Sequence, residues 1–282
     1  MKKILSLVLA LALVLTAVGA AMADTYKIAI PNDATNEGRA LLLLQSIGAI
    51  TLKEDAGITA TDKDVTSSVA DVEFVLAEAA NVPNLLQDVD FAIINNNYAL
   101  DNGLNPAVDG LAIESADSPY ANVLCVKEDN KDSDLTKALI AAFTSQQVVD
   151  YIAANYADGS VVAVIENPTD GYDADVDYDA LNGQSISVAV TPVPHEPIAD
   201  IAKEILAAKG ITLDVIEVTD YVTPNDFVEA GDVYANFFAH IPYQENFNEE
   251  NGTHIAIVAP IHVEPMAIYG GQTADLSVLI AK

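Results

Sequence analysis

The stretch Ile30-Pro31-Asn32-Asp33-Ala34-Thr35-Asn36-Glu37-Gly38-Arg39-Ala40-Leu41-Leu42-Leu43-Leu44-Gln45 decides how the rest of the chain is read. An apolar run from Tyr26 to Ile30 meets turn formers and then a continuous helix-forming segment, so a strand passing into a helix start is predicted. Thr35 or Asp33 is placed to cap that helix, and Leu41 to Leu44 make it apolar on nearly every side, which predicts burial. Arg39 falls just inside the helix and is the only arginine in a chain of 282 residues with 42 acids. A guanidinium makes a planar, two-pronged contact that lysine cannot. The first expectation is therefore a carboxylate-binding site at a helix N-terminus.

Upstream of this stretch, Lys2 and Lys3, an apolar core over residues 4–18 and Ala21-Met22-Ala23 have the form of a signal peptide, residues 1–23, with a mature start at Asp24. No second apolar run has spanning length, so an exported chain, periplasmic or extracellular and soluble after cleavage, is expected. A formal net charge of -30 excludes nucleic acid and anionic membrane surfaces as partners, because both need a basic face. Cys125 is the single cysteine, so neither an intramolecular disulfide nor a cysteine metal cluster is available. Its setting in an apolar run reads as a small buried hydrophobe rather than a nucleophile.

Downstream, residues 72–77, 89–94, 110–114 and 122–126 read as strands and residues 82–86 as a short helix. Residues 133–156 carry one long helical period. Asn95-Asn96-Asn97-Tyr98 follows a buried strand, the place where an open α/β sheet keeps its ligand loops. Residues 166–182 are an acidic connector whose Asp-x-Asp-x-Asp spacing departs from a calcium loop, lacking the glycine at the sixth place and the glutamate at the twelfth. A fresh β-α-β unit then begins with residues 186–190, 197–208 and 211–218. A short helix through Glu229, strands at 233–238 and 255–258, and a turn at Gly270-Gly271 before a last apolar run complete the chain. Alternating strands and helices argue for an α/β fold.

Several segments resemble the methionine-binding lipoproteins of the NlpA type, the solute-binding partners of ABC importers. They are the opening stretch, Asp88 to Asn96, Asp117-Ser118-Pro119-Tyr120-Ala121-Asn122, the run from Lys127 to Asp132, Asp220-Tyr221-Val222-Thr223-Pro224-Asn225, and Ala235-Asn236-Phe237-Phe238-Ala239-His240-Ile241-Pro242-Tyr243. In the family the Tyr-Val-Thr-Pro-Asn unit precedes the Ile-Pro-Asn-Asp unit, whereas here it follows. The resemblance implies a two-lobed periplasmic-binding-protein fold of type II character, circularly permuted, with the usual termini joined through the acidic connector at 166–183. One lobe is expected over residues 24–109 and the other over 110–282, with the lobe of 267–282 left open. The chain would cross between lobes near Gly110 and Met266, and closure would be a hinge motion. The family's lipobox cysteine is missing at the mature start, so no lipid anchor is expected.

The resemblance also implies a site for a free amino acid, L-methionine, delivered by a monomeric receptor to the membrane subunits of an ABC importer, with no bond chemistry and no cofactor. Arg39 would take the ligand carboxylate, and Asn95 and Asn122 its head group. Tyr221, Phe238 and His240 would line a thioether pocket, aromatic rings contacting sulfur favourably. His195 is a weaker candidate. Two alternatives remain open: a zinc-binding solute receptor built on His195, His240, His254 and His262, and a hydrolytic enzyme, for which no G-x-S-x-G elbow is present.

Overall fold

A computed structural model describes residues 25–115 and 118–280. The signal-peptide reading therefore lies outside the described residues, as does Asp117 of one family-like segment. The first half of the chain makes strands β1 (Thr25–Pro31), β2 (Ile50–Leu52), β3 (Val65–Ser68), β4 (Asp71–Ala77), β5 (Phe91–Ile94) and β6 (Gly110–Ile113). It then crosses to a second body carrying β7 (Ala121–Lys127), β8 (Val162–Ala163), β9 (Ser185–Val190), β10 (Thr212–Glu217), β11 (Ala235–His240) and β12 (Ile255–Val263). It returns for β13 (Ala267–Gly270).

Two sheets result. The order β4-β1-β5-β13-β6 forms one and β10-β9-β11-β7-β12-β8 the other, while β2 and β3 pair as a separate hairpin. In each sheet a parallel set (β4, β1, β5; β10, β9, β11) is extended by antiparallel strands. The inner parallel strands β5 and β11 are buried along their whole length, as strands covered on both faces are, while the edge strands β4 and β10 are partly exposed. Ile28, Leu41, Phe91, Ile93 and Ile268 make the core of the first body, and Leu124, Phe143, Val188, Ile198 and Phe237 that of the second. The chain is thus α/β with two sheet-centred bodies, and among the described residues it passes between them after Ile113 and between Val263 and Ala267.

The β6 pairing moves the first crossing beyond the expected boundary at Asp109, because Gly110 to Ile113 pair with β13 in the first sheet. β13 also settles the tail: it returns to the first sheet, and the apolar run after the Gly270-Gly271 turn is a short 3-10 helix, Leu276–Leu279, rather than a strand. The long helical period is broken in two, Asp134–Phe143 and Gln146–Asn155. Ser145 between them is buried and caps the second helix through its side chain, a local bond that periodicity does not register.

The acidic connector is packed. Thr169 exchanges backbone bonds with Thr144 and Gln146 at 3.0 and 2.9 Å, and Lys209 lies over the rings of Tyr172 and Tyr178. Its carboxylates close turns: Asp173 accepts the Asp175 N–H at 2.9 Å and Asp177 caps Tyr178–Leu181. No helix among the described residues is long and apolar enough to cross a membrane.

Candidate functional site

A pocket with about 320 Å³ of atom-free space lies between the two bodies. Asn36, Arg39 and Asn95 to Asn97 reach it from the first, Asn122, Tyr221, Phe238, Ala239, His240 and Tyr243 from the second, and Glu264 from the return crossing. All six principal residues expected from the sequence are therefore brought together, Arg39 opposite Tyr221 and His240 despite their separation in the chain.

Arg39 rides on the helix Ala34–Ser46, whose N-terminus is capped by Asp33 through the Asn36 N–H at 3.0 Å. Asp33 also accepts from the Asn36 amide at 2.9 and 3.0 Å. One of the helix's first N–H groups, that of Asn36, is thus taken by the chain's own carboxylate. The guanidinium itself remains at the pocket, 3% exposed. Its Nε donates to Glu114 at 3.1 Å and its Nη2 to the other crossing segment, the Glu264 backbone carbonyl, at 2.7 Å. Nη2 also pairs with Glu114 Oε2 at 2.5 Å. Tyr120 stacks beneath it, 4.3 Å from the ring centroid to Cζ. Nη1 is left without a hydrogen-bond partner among the described residues.

Asn95 holds the N-cap position before the helix Asn96–Asp101, yet its side chain does not cap. Its amide donates instead to Asn36 Oδ1 at 2.7 Å, and its own Oδ1 is buried without a partner. His240 ends β11 and caps the helix Ile241–Asn251, with Nδ1 accepting the Tyr243 N–H at 3.1 Å. That fixes the proton on Nε2, which donates to Asn36 Oδ1 at 3.1 Å across the cleft. Burial, and after it the Arg39 charge, hold this imidazole well below its ordinary pKa. Tyr221 OH donates to Asn97 Oδ1 at 2.6 Å and Tyr98 OH to the Thr219 carbonyl at 3.1 Å, so both bodies contribute to a closed cleft. Tyr221, Phe238 and Tyr243 form an aromatic wall with centroids 5.8–5.9 Å apart.

His195 does not reach the pocket. It stands behind Asn122, its Nδ1 accepting from Thr191 Oγ1 at 2.7 Å and its Nε2 donating to Asn122 Oδ1 at 3.2 Å, which leaves the Asn122 amide N–H groups for the pocket. The four histidines do not converge, so that arrangement for zinc is corrected: His240 is bonded to Asn36, and His254 pairs at the surface with Glu229. His195 and His262 do meet, joined by Glu264, with one possible ligand atom each within 4.8 Å. Cys125 is fully buried, and burial pushes its thiol pKa up, the opposite of what a nucleophile needs.

Glu114 and Glu264 were not foreseen, and Tyr243 entered only as part of a quoted segment. Both glutamates sit beside strand ends at the crossings, where position in the pocket depends on how the two sheets meet. His-Val-Glu-Pro at 262–265 carries no local signal that would separate it from a strand end.

The D-methionine-binding lipoprotein MetQ of Escherichia coli strain K12 is 42% identical over 134 residues, 47% of this chain and 49% of that protein. The MetQ of Yersinia pestis is 45% identical over 133 residues, 46% of this chain and 48% of that protein. A nutrient-binding protein from Burkholderia cenocepacia, solved bound to methionine, is 42% identical, with 47% of this chain and 56% of that one covered at a TM-score of 0.46. The chain spans about half the length of the curated relatives it matches. The family model described as NlpA lipoprotein matches residues 20–165 and 186–282. Those two blocks take in most of the sequence, and the chain belongs to the NlpA lipoprotein family.

Proposed function

We propose that this chain is an extracytoplasmic solute-binding protein that holds free methionine between its two bodies for an ABC importer. The observation that carries the reading is the pocket itself: Arg39, Asn95, Asn122, Tyr221, Phe238 and His240 line one pocket although they come from both bodies. Arg39 Nη1 and the Asn122 amide supply donors for a carboxylate, and the wall of Tyr221, Phe238 and Tyr243 suits a thioether. The names of the relatives, which bind D-methionine, support methionine as the solute. His240, neutral and fixed in one tautomer, adds a polar edge without a charge. The names of the relatives, which describe binding proteins, support a binding function.

Calorimetric titration of the purified protein with L-methionine, D-methionine and leucine tests this. Saturable binding of one methionine per chain, tighter than leucine by tenfold or so, is expected, since aromatic-sulfur contacts contribute about 0.3–1.5 kcal/mol each. Heat of dilution alone for both methionine isomers contradicts it.

A further inference from the structure

Glu264 lines the pocket, is 4% exposed, and has no lysine or arginine ion pair among the described residues. The nearby guanidinium of Arg39 is already matched by Glu114 and meets only the backbone carbonyl of Glu264. What faces the Glu264 carboxylate is a pair of histidines. His262 Nε2 lies 2.7 Å from Oε1 as a hydrogen-bond donor, and His195 Nε2 lies 3.3 Å from the same oxygen. His195 is held neutral by burial and by the adjacent His262. Oε2 makes no hydrogen bond among the described residues. Asn95, which also lines the pocket, has its Oδ1 buried without a partner.

His262 matches Oε1 as an ion pair only when it is protonated, so beside a neutral His262 this nearly buried carboxylate is costly unless a cation arrives to match it. Of the fixed charges around the pocket, Arg39 and Glu114 cancel, and Glu264 is left over. An ammonium group carries three donors and one positive charge, which is what an unmatched carboxylate and an orphan amide oxygen together accept.

We propose that Glu264 is the ammonium-recognising residue of this pocket, so that the site admits ligands with a free cationic amine and rejects carboxylic acids without one. The proposal rests on the amino-acid reading given above and deepens it. His262 is a positioning residue: its N–H holds Oε1 and turns the other oxygen to the ligand. His195 does the same for Asn122 and backs Glu264 from the side. A ligand bearing a carboxylate but no amine would add a second unmatched negative charge, and this is the physical source of the rejection.

The test is calorimetric titration with methionine and with its hydroxy-acid analogue, in which a hydroxyl replaces the amine at nearly the same volume. The wild-type chain is expected to prefer methionine by about a hundredfold or more, the scale of removing one member of a buried charge pair. Glu264→Gln is expected to lose most of that preference by weakening methionine, with the hydroxy acid unchanged or improved. His262→Gln, which keeps an N–H donor, should retain more of the preference than His262→Leu at matched thermal stability. Equal affinities of the wild-type chain for the two ligands overturn the proposal without any variant. A preserved preference in Glu264→Gln overturns it while leaving methionine binding intact. One equivalent of zinc in the purified protein, displaced neither by dialysis nor by methionine, also overturns it by assigning the histidines and Glu264 to a metal. Absence of any methionine binding in the wild-type chain removes the amino-acid reading and this one together.

Discussion

At the scale of single residues, Arg39 has two functions that one substitution cannot separate. It ties the first body's helix to both crossing segments through Glu114 and the Glu264 carbonyl, and it presents Nη1 to the pocket. Arg39→Ala is therefore expected to cost about 3–5 kcal/mol of folding stability, because it leaves Glu114 without its cation in a largely buried place, as well as costing ligand affinity. Arg39→Lys keeps the charge but not the fork. It should regain much of the lost stability in urea unfolding while still failing to bind methionine; a lysine variant with wild-type affinity would contradict the role assigned to the fork. The histidines give a second outcome. Burial depresses the pKa of both His195 and His240, so the unfolded chain takes up protons that the folded chain refuses. Their contribution to stability is complete above the ordinary imidazole value of about 6.5 and is lost as pH falls below it, by up to about 1.4 kcal/mol per pH unit for each. Burial raises the carboxyl pKa values of Asp33 and Glu37, which act in the opposite sense, so an imidazole NMR titration isolates the effect better than a melting curve. Both His195 and His240 should titrate well below the ordinary imidazole value of about 6.5; a midpoint near 6.5 for either would show that it is not held neutral.

Among the elements, the helix Ala34–Ser46 carries both Asn36 and Arg39, and its depth is set by Gly38. A Cβ there would stand 2.2 Å from the Ile58 carbonyl oxygen, so Gly38→Ala must push the helix off the turn Gly57–Thr59. Overpacking of that kind costs about 1–3 kcal/mol. Because the displaced helix carries pocket residues, methionine affinity should fall with the melting temperature; an alanine variant that melts and binds like wild type would contradict the close approach. The glycine is visible in the sequence but its neighbour is not, since Ile58 lies twenty residues on and meets it only after folding. The same division runs through the molecule. Strands with continuous apolar runs, such as β5 and β7, were legible because burial on both faces writes itself into each position. The helix Ile241–Asn251 was not, since its cap is a histidine and its mostly polar residues carry little apolar periodicity. The hairpin of β2 and β3 was also missed, both strands being short and β3 mostly exposed. In the site, the six residues inside long motif strings were readable; Glu114 and Glu264 depend on the crossing of two sheets and were not.

For the whole molecule, the two bodies meet over the pocket and are joined by two short crossings, a geometry suited to hinge closure around a ligand. We read the chain order as a circular permutation, and one feature of the family match supports it: the unmatched residues 166–185 cover the acidic connector, the segment that would join the family's usual ends. The connector's packing against the second body explains how such a junction is tolerated, since its backbone bonds and its tyrosine contacts with Lys209 are satisfied locally. The measurement that bears most directly on the account is a crystal structure of the chain grown with L-methionine. The account predicts one methionine between the bodies, its carboxylate on Arg39 and Asn122 and its thioether against Tyr221, Phe238 and Tyr243. Methionine bound elsewhere, or a cleft between Arg39 and Tyr221 that stays free of it at saturating concentration, would contradict it.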